Sequence, residues 1–220
     1  MADMKRKPER SSATMVGDLV GSREVTDRRG LHRRLLGALT QVNEELGEEV
    51  LDPLRITVGD EFQGRFASVG AAVHASMLLR LMLSPDVDAR YGLGWGEVTL
   101  LDEDGTQDGP GWWAARDAIE WVAKTQAQAA LGEVRTAYRL GKGSDGPGEP
   151  AINAAVQCRD HLVGSLDDRS RRILGGLMRG DTQVEIAAEE GISPSAVSQR
   201  VRRDGLGILL SAAAELQRVR

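Results

Sequence analysis

Between Ala13 and Leu140 the apolar residues of this chain switch between a spacing of two and a spacing of three or four, and the order of those switches leaves few folds open. Ala13 to Val20 reads as a strand that runs into Gly21-Ser22. From about Asp27 to Leu46 the apolar positions Leu31, Leu35, Leu39, Val42 and Leu46 fall on one helical face, and Gly47 and Pro53 close it. Leu54 to Val58 and Phe62 to Phe66 are β-rich runs split by Gly59-Asp60-Glu61, which predicts a hairpin. A second helix is predicted from about Ser68 to Leu83, with Val69, Val73, Met77 and Leu81 on one face. Val87, Ala89, Tyr91, Leu93 and Trp95 alternate as a half-buried strand does. The alternation shifts at Gly96-Glu97, where a bulge or sharp bend is expected. After an acidic loop from Asp102 to Pro110, a third helix is predicted from about Gly111 to Ala130 and a last strand from Val134 to Leu140.

The order β-α-β-β-α-β, then helix and strand, predicts an α+β, ferredoxin-like antiparallel sheet with helices on one face. Residues 141–150 have the composition of a linker, and 151–220 show only helical patterns. The 220 residues leave room for two such bodies. Residues 1–12 form a basic tail with no apolar stretch behind it, which is not a secretion signal. Apolar runs reach only a few residues, as in Met77-Leu78-Leu79, so no membrane span is expected. The single cysteine, Cys158, excludes a disulfide framework and reads as a buried apolar residue. These features lead to the expectation of a cytoplasmic protein.

Charge is uneven. The chain carries a net −5, yet from Gly164 onward nine basic residues meet eight acidic ones. A nearly neutral segment with clustered arginines behind an acidic body hints at a nucleic-acid-binding end. Within it, a helix is predicted from about Asp167 to Met178 and another over Gln183 to Glu190, capped by Asp181 or Thr182. Gly191 supplies the left-handed residue of a tight turn, Ile192 plugs the core, Ser193 caps, and Pro194 opens a third helix. Val197 and Val201 face inward on that helix. The other face presents Ser195, Gln199, Arg202 and Arg203, flanked by Ser198 and Arg200. Gln and Arg can pair with base edges, and Ser and Arg can hold phosphates. Over about 40 residues this stretch resembles the helix-turn-helix domains of bacterial transcription regulators. The resemblance implies double-stranded DNA as partner and, because such proteins read paired half-sites, a homodimer. A three-helix bundle with a solvated basic face has the same pattern.

A second constellation lies near the N-terminus. Asp18 ends the first strand beside a Gly-Ser turn, and Asp60 and Glu61 stand at the hairpin tip. In a ferredoxin-like sheet these elements are neighbours, so Asp18 and Asp60 are candidate ligands of Mg²⁺. The amides of Leu19, Val20, Gly21 and Ser22 are candidates to cradle a phosphate ahead of the first helix. The alternatives are bland: a capped turn and two hairpin-tip residues.

The segments Asp18–Ser22 (DLVGS), Thr57–Phe66 (TVGDEFQGRF), Arg90–Val98 (RYGLGWGEV) and Gly109–Ala118 (GPGWWAARDA) resemble, in order and spacing, class III nucleotide cyclase domains. The Gly59-Asp60-Glu61-Phe62 run also resembles the end of the diguanylate cyclase signature. With the Trp112-Trp113 pair, the combination most resembles the SatD family. The resemblance implies a nucleotide or cyclic-dinucleotide ligand, with Arg116 in the place of the cyclase transition-state arginine. It also shows departures: Trp112 stands where the ribose-orienting Asn belongs, and Ile56, beside Arg55, where the purine-selecting Lys belongs. A base-recognising aspartate has two candidates, Asp104 and Asp108. Trp112 and Trp113 read equally as core or dimer-interface aromatics and as a base-stacking platform. The expectation is therefore a DNA-binding regulator with a degenerate, nucleotide-sensing cyclase-like domain; the alternative is an active, divergent nucleotidyl cyclase or nucleotidyltransferase. His32, His74 and His161 show no ligand spacing.

Overall fold

The computed structural model describes residues 11–102 and 105–220. The tail expected over 1–12 lies outside the described residues except for its last two, and Ser12 already opens the first strand. Asp104 also lies outside them.

The strands and helices of the body follow the predicted order. β1 (Ser12–Val20) leads through a left-handed Gly21 and a single helical turn to α1 (Arg28–Leu46), capped by Asp27. β2 (Val50–Ile56) and β3 (Phe62–Phe66) make the hairpin. α2 (Val69–Leu83) is capped by Ser68, and β4 (Asp88–Gly96) follows. Pro53 lies inside β2 rather than closing the helix before it. β2 is an edge strand with two register shifts, where a missing N–H disturbs no ladder.

The five-stranded sheet has the order β2-β3-β1-β4-β7, with β7 spanning Thr136–Leu140. Its first four strands pair antiparallel, as the ferredoxin-like pattern predicts. β7 pairs parallel to β4, so the sheet is mixed. The cause is the connection: β4 reaches β7 by a helical crossover through α3 (Pro110–Thr125), which returns the chain in the same direction. The expected bend at Gly96-Glu97 is a departure from the sheet. There the chain forms a separate two-stranded ribbon, β5 (Thr99–Leu100) with β6 (Gln107–Asp108). α3 ends at Thr125, short of the predicted Ala130.

The two sheet faces are dressed differently. Met15, Leu19, Phe62, Tyr91 and Leu93 turn to one face and build the main core with Leu35, Leu39 and Val42 of α1 and Leu79 and Leu83 of α2. Thr14, Val16, Gly92 and Gly94 turn to the other face, which α3 covers with Ala115 and Ile119. Helices therefore lie on both faces, not on one. Gly92 and Gly94 let α3 sit directly on the strand: a Cβ at Gly92 would meet the Ala115 carbonyl and one at Gly94 the Gly111 carbonyl. Thr14 pins the same contact by donating to the Gly111 carbonyl at 2.8 Å.

From residue 149 onward the described structure is helical: α4 (Glu149–Ser165), α5 (Asp168–Arg179), α6 (Gln183–Glu190), α7 (Pro194–Arg203) and α8 (Leu206–Gln217). α4 joins the sheet body, with Ile152 and Val156 in its core. A second core gathers Ile173, Leu174, Ile186, Val197, Leu206 and Leu209 around Met77 and Leu81. Those last two belong to α2, so one helix supplies both cores. α8 runs back along α2, and the Gly70 amide donates to the Val219 carbonyl at 2.9 Å. Cys158 is exposed, in a groove between α4 and α8, rather than buried. Among the described residues no helix is long and apolar enough to cross a membrane.

Candidate functional site

One end of the sheet gathers the N-terminal candidates. The last β1–β3 rung is Gly17 with Phe62. Asp18 stands one residue beyond it on β1, and Asp60 and Glu61 immediately precede Phe62 on the turn, so all three share this end. Asp18 lies across from Arg90 in the β1–β4 register. Arg90 grips both its oxygens, at 2.8 Å from Nε and 2.6 Å from Nη2. A two-pronged guanidinium–carboxylate pair of this kind is strong and directional. Glu61 makes a looser, half-exposed pair with Arg116 of α3 at 3.6 Å. Thus two arginines and two carboxylates from β1, β3's turn, β4 and α3 meet at one sheet end.

The divalent-cation expectation fits poorly here. Both Asp18 oxygens are spent on Arg90, and among the described residues no three or more acidic, histidine or cysteine side chains gather as metal ligands do. The phosphate-cradle geometry also differs. Leu19 and Val20 continue β1 in register with Ala89 and Asp88, and α1 begins only at Arg28. The amides of Leu19, Val20, Gly21 and Ser22 therefore do not form the N-terminus of that helix. Ser22 is buried, and its carbonyl accepts from Arg28 at 2.8 Å.

The tryptophans divide. Trp112 is half-buried against the Val16–Ala115–Ile119 cluster and donates to Gln107 at 3.1 Å. Gln107 in turn donates to Asp52, which pairs with Arg65 at 2.6 Å. This chain ties the β5–β6 ribbon to the hairpin. Trp113 is exposed, with its indole N–H on Asp108 at 2.7 Å.

In the C-terminal helices the predicted caps are present. Thr182 and Glu185 make a reciprocal capping box, Gly191 is left-handed at φ 63°, and Ser193 accepts from the Ala196 amide ahead of Pro194. Val197 is fully buried. Ser195, Gln199 and Arg202 stand exposed on the outer face of α7, with Ser198 beside them half-buried. Arg203 pairs with the adjacent Asp204 at 2.6 Å. Arg200 turns inward: its Nη1 donates to Asp167 at 2.8 Å and to Ser170 at 2.8 Å, tying α7 to the cap of α5. Its guanidinium is occupied there rather than on the outer face.

Four carboxylates of these helices are held below their ordinary values. Arg200 does this first for Asp167, the Thr182 amide for Glu185, Arg172 for Glu190 and Arg203 for Asp204. Each folded pKa lies below the unfolded one. Their stabilisation is therefore complete above the ordinary carboxylate range and is lost as pH falls through the depressed values. We expect the thermal midpoint to fall steadily as pH drops below about 4, and less steeply in Asp167→Asn. A midpoint that does not move between about pH 5 and pH 2 would contradict this.

Sequence reasoning missed the most elaborate polar assembly in the molecule. Asp160 of α4, fully buried, accepts the amides of Arg135 (2.9 Å) and Thr136 (2.7 Å) and pairs with Arg159 at 3.0 Å. Arg159, itself buried, also donates to the Val73 carbonyl, Ser76 and Thr136. Arg80 of α2 bridges Asp88 of β4 and the Asp160 carbonyl. The Tyr91 hydroxyl is buried against this group with no hydrogen-bond partner among the described residues, and burial pushes its pKa far up, so it stays neutral. The visible signal was Arg80 in the middle of the apolar run of α2. The assembly joins α2, β4, β7 and α4.

The solved structures similar to this chain include a bacterial light-regulated adenylyl cyclase (14% identity, TM-score 0.43), covering 63% of this chain. The chain spans 46% of that cyclase's length. The catalytic core of a rhodopsin-guanylyl cyclase in complex with ATPαS matches at 18% identity and TM-score 0.43, over 52% of this chain and 73% of that one. An adenylate/guanylate cyclase/hydrolase from Silicibacter pomeroyi matches at 26% identity and TM-score 0.35, over 50% and 69% respectively. No curated protein matches the chain. The family model described as the SatD family matches residues 13–217.

Proposed function

Because the chain belongs to the SatD family over residues 13–217, sheet body and C-terminal helices alike, we propose that the two parts serve one activity: ligand-responsive DNA binding. α7 is the recognition helix of a helix-turn-helix formed with α6. The observation that carries this reading is the division of labour on α7. Val197 is buried and Arg200 is locked onto Asp167 and Ser170, so the helix is held firmly from within. Ser195, Gln199 and Arg202 remain on its outer face. Exposed amide and guanidinium groups at this spacing suit base edges in a major groove, and Ser198 and Arg203 suit the flanking phosphates. A homodimer would bring two such helices to paired half-sites.

In this reading the sheet end of Asp18, Arg90, Glu61 and Arg116 receives a nucleotide or cyclic dinucleotide. The two arginines would exchange their carboxylates for phosphate oxygens. Such an exchange alters the charge around the hairpin tip and the start of α3, and it can shift DNA affinity only if the ligand prefers one arrangement of the chain. The grip of Arg90 on Asp18 speaks against a metal-dependent nucleotidyl transfer at this end.

Arg202→Ala or Gln199→Ala is expected to cost about 1–3 kcal/mol of DNA affinity and to relax sequence choice at one position. Arg200→Ala is expected instead to lower the melting midpoint. A mobility-shift titration on sites selected from a random duplex pool measures the first, with and without each nucleotide. Unchanged affinity in both outer-face variants would remove α7 from the interface. An affinity indifferent to every nucleotide would remove the sensing half.

A further inference from the structure

A cavity of about 260 Å³ opens between α2 and the α5–α6 pair, away from the sheet end and from the outer face of α7. Its apolar wall is Leu78, Leu81 and Met82 of α2 with Ile186 of α6. Its polar rim carries Arg171, Arg172 and Arg179 of α5. Two glycines, Gly175 and Gly176, stand side by side in α5, and they differ in what they explain. A Cβ at Gly176 would press on Ile186 at 2.9 Å, so packing requires that glycine. A Cβ at Gly175 would meet only Arg179 Nη1 at 3.7 Å and Leu81 Cβ at 3.8 Å, ordinary contacts. Glycine is a poor helix former, and its backbone here is ordinary helix. Neither conformation nor crowding calls for it. What Gly175 does is leave the cavity wall bare.

The rim arginines are unequally engaged. Arg172 is held by Glu190 at 2.6 Å, and Arg171 reaches the Val163 and Gly164 carbonyls. Arg179 uses Nη2 on Asp181 at 2.7 Å, and among the described residues its Nη1, over Gly175, donates to nothing. Glu189 and Glu190 share the rim with these arginines.

We propose that this cavity binds a small amphipathic carboxylate, its apolar body on Leu78, Leu81, Met82 and Ile186 across the bare Gly175 and its head group on Arg179 Nη1. The proposal stands on the cavity alone and does not depend on DNA binding. The site joins α2, which belongs to both cores, to the helices ahead of α7.

The test is a thermal-shift and calorimetric titration of the full chain with octanoate, and with octanol and inorganic phosphate as the body and head presented singly. Octanoate is expected to raise the midpoint saturably, with octanol and phosphate at least about ten-fold weaker. Gly175→Leu, which fills the cavity with a good helix former, is expected to keep the midpoint and weaken octanoate at least about ten-fold. Arg179→Gln is expected to weaken octanoate about ten-fold while leaving octanol unchanged. The proposal fails if octanoate produces no saturable shift up to about 5 mM, beyond the weak end of specific binding. It fails equally if octanol or phosphate matches octanoate, or if both variants bind as the parent does.

Discussion

Asp160→Ala is expected to destabilise the chain by about 3–5 kcal/mol, a large part of what a domain of this size possesses. The carboxylate is fully buried and accepts from the amides of Arg135 and Thr136 and from Arg159. Truncation strands two amides at the start of β7 and leaves a buried guanidinium without its anion. Arg159 would retain the Val73 carbonyl, Ser76 and Thr136, which limits the loss. Asp160→Asn keeps one acceptor and removes the charge, so it should fall between the two. Urea unfolding followed by circular dichroism gives the difference directly. A midpoint for Asp160→Ala within experimental scatter of the parent would show that the assembly is ornamental.

Gly92→Ala is expected to cost about 3 kcal/mol, the upper end for overpacking, because the added methyl meets backbone rather than a flexible side chain. Its Cβ would fall on the Ala115 carbonyl and on the Ile119 amide at 2.5 Å. Either α3 lifts from β4 or the strand bends, and both move Arg116 and Trp112 away from the sheet end. The same substitution at Gly37, exposed in α1 with nothing within 4 Å of a new Cβ, is expected to gain up to about 1 kcal/mol. The contrast in sign separates a steric requirement from helix propensity. Equal effects at the two positions would mean that α3 does not pack on β4 as described.

The body of the fold was legible because its signals are local. Strand alternation in Val87–Trp95, the four-residue spacing of α1 and the capping residues of α6 and α7 each act within a few positions. What was not legible is long-range. No local pattern says which strand β7 will lie beside, nor that α3 will cross to the opposite face; the glycines at 92 and 94 carry that information only through the helix that packs on them. Arg200 sits among exposed residues of α7 in sequence, and only the position of Asp167, 33 residues away, turns it inward. At the sheet end, Asp18 and Glu61 are legible as acids, yet their partners Arg90 and Arg116 lie on other elements and decide what those acids can do.

Because Met77 and Leu81 of α2 project into the C-terminal core while Val69, Val73, Leu79 and Leu83 of the same helix line the main one, neither half of this chain is an interchangeable cassette. A gene fusion that grafted a foreign C-terminal module after residue 148 would inherit a greasy, unsheathed stripe on α2. Exchanging either half therefore means redesigning the Met77–Leu81 stripe of α2 together with the residues that cover it.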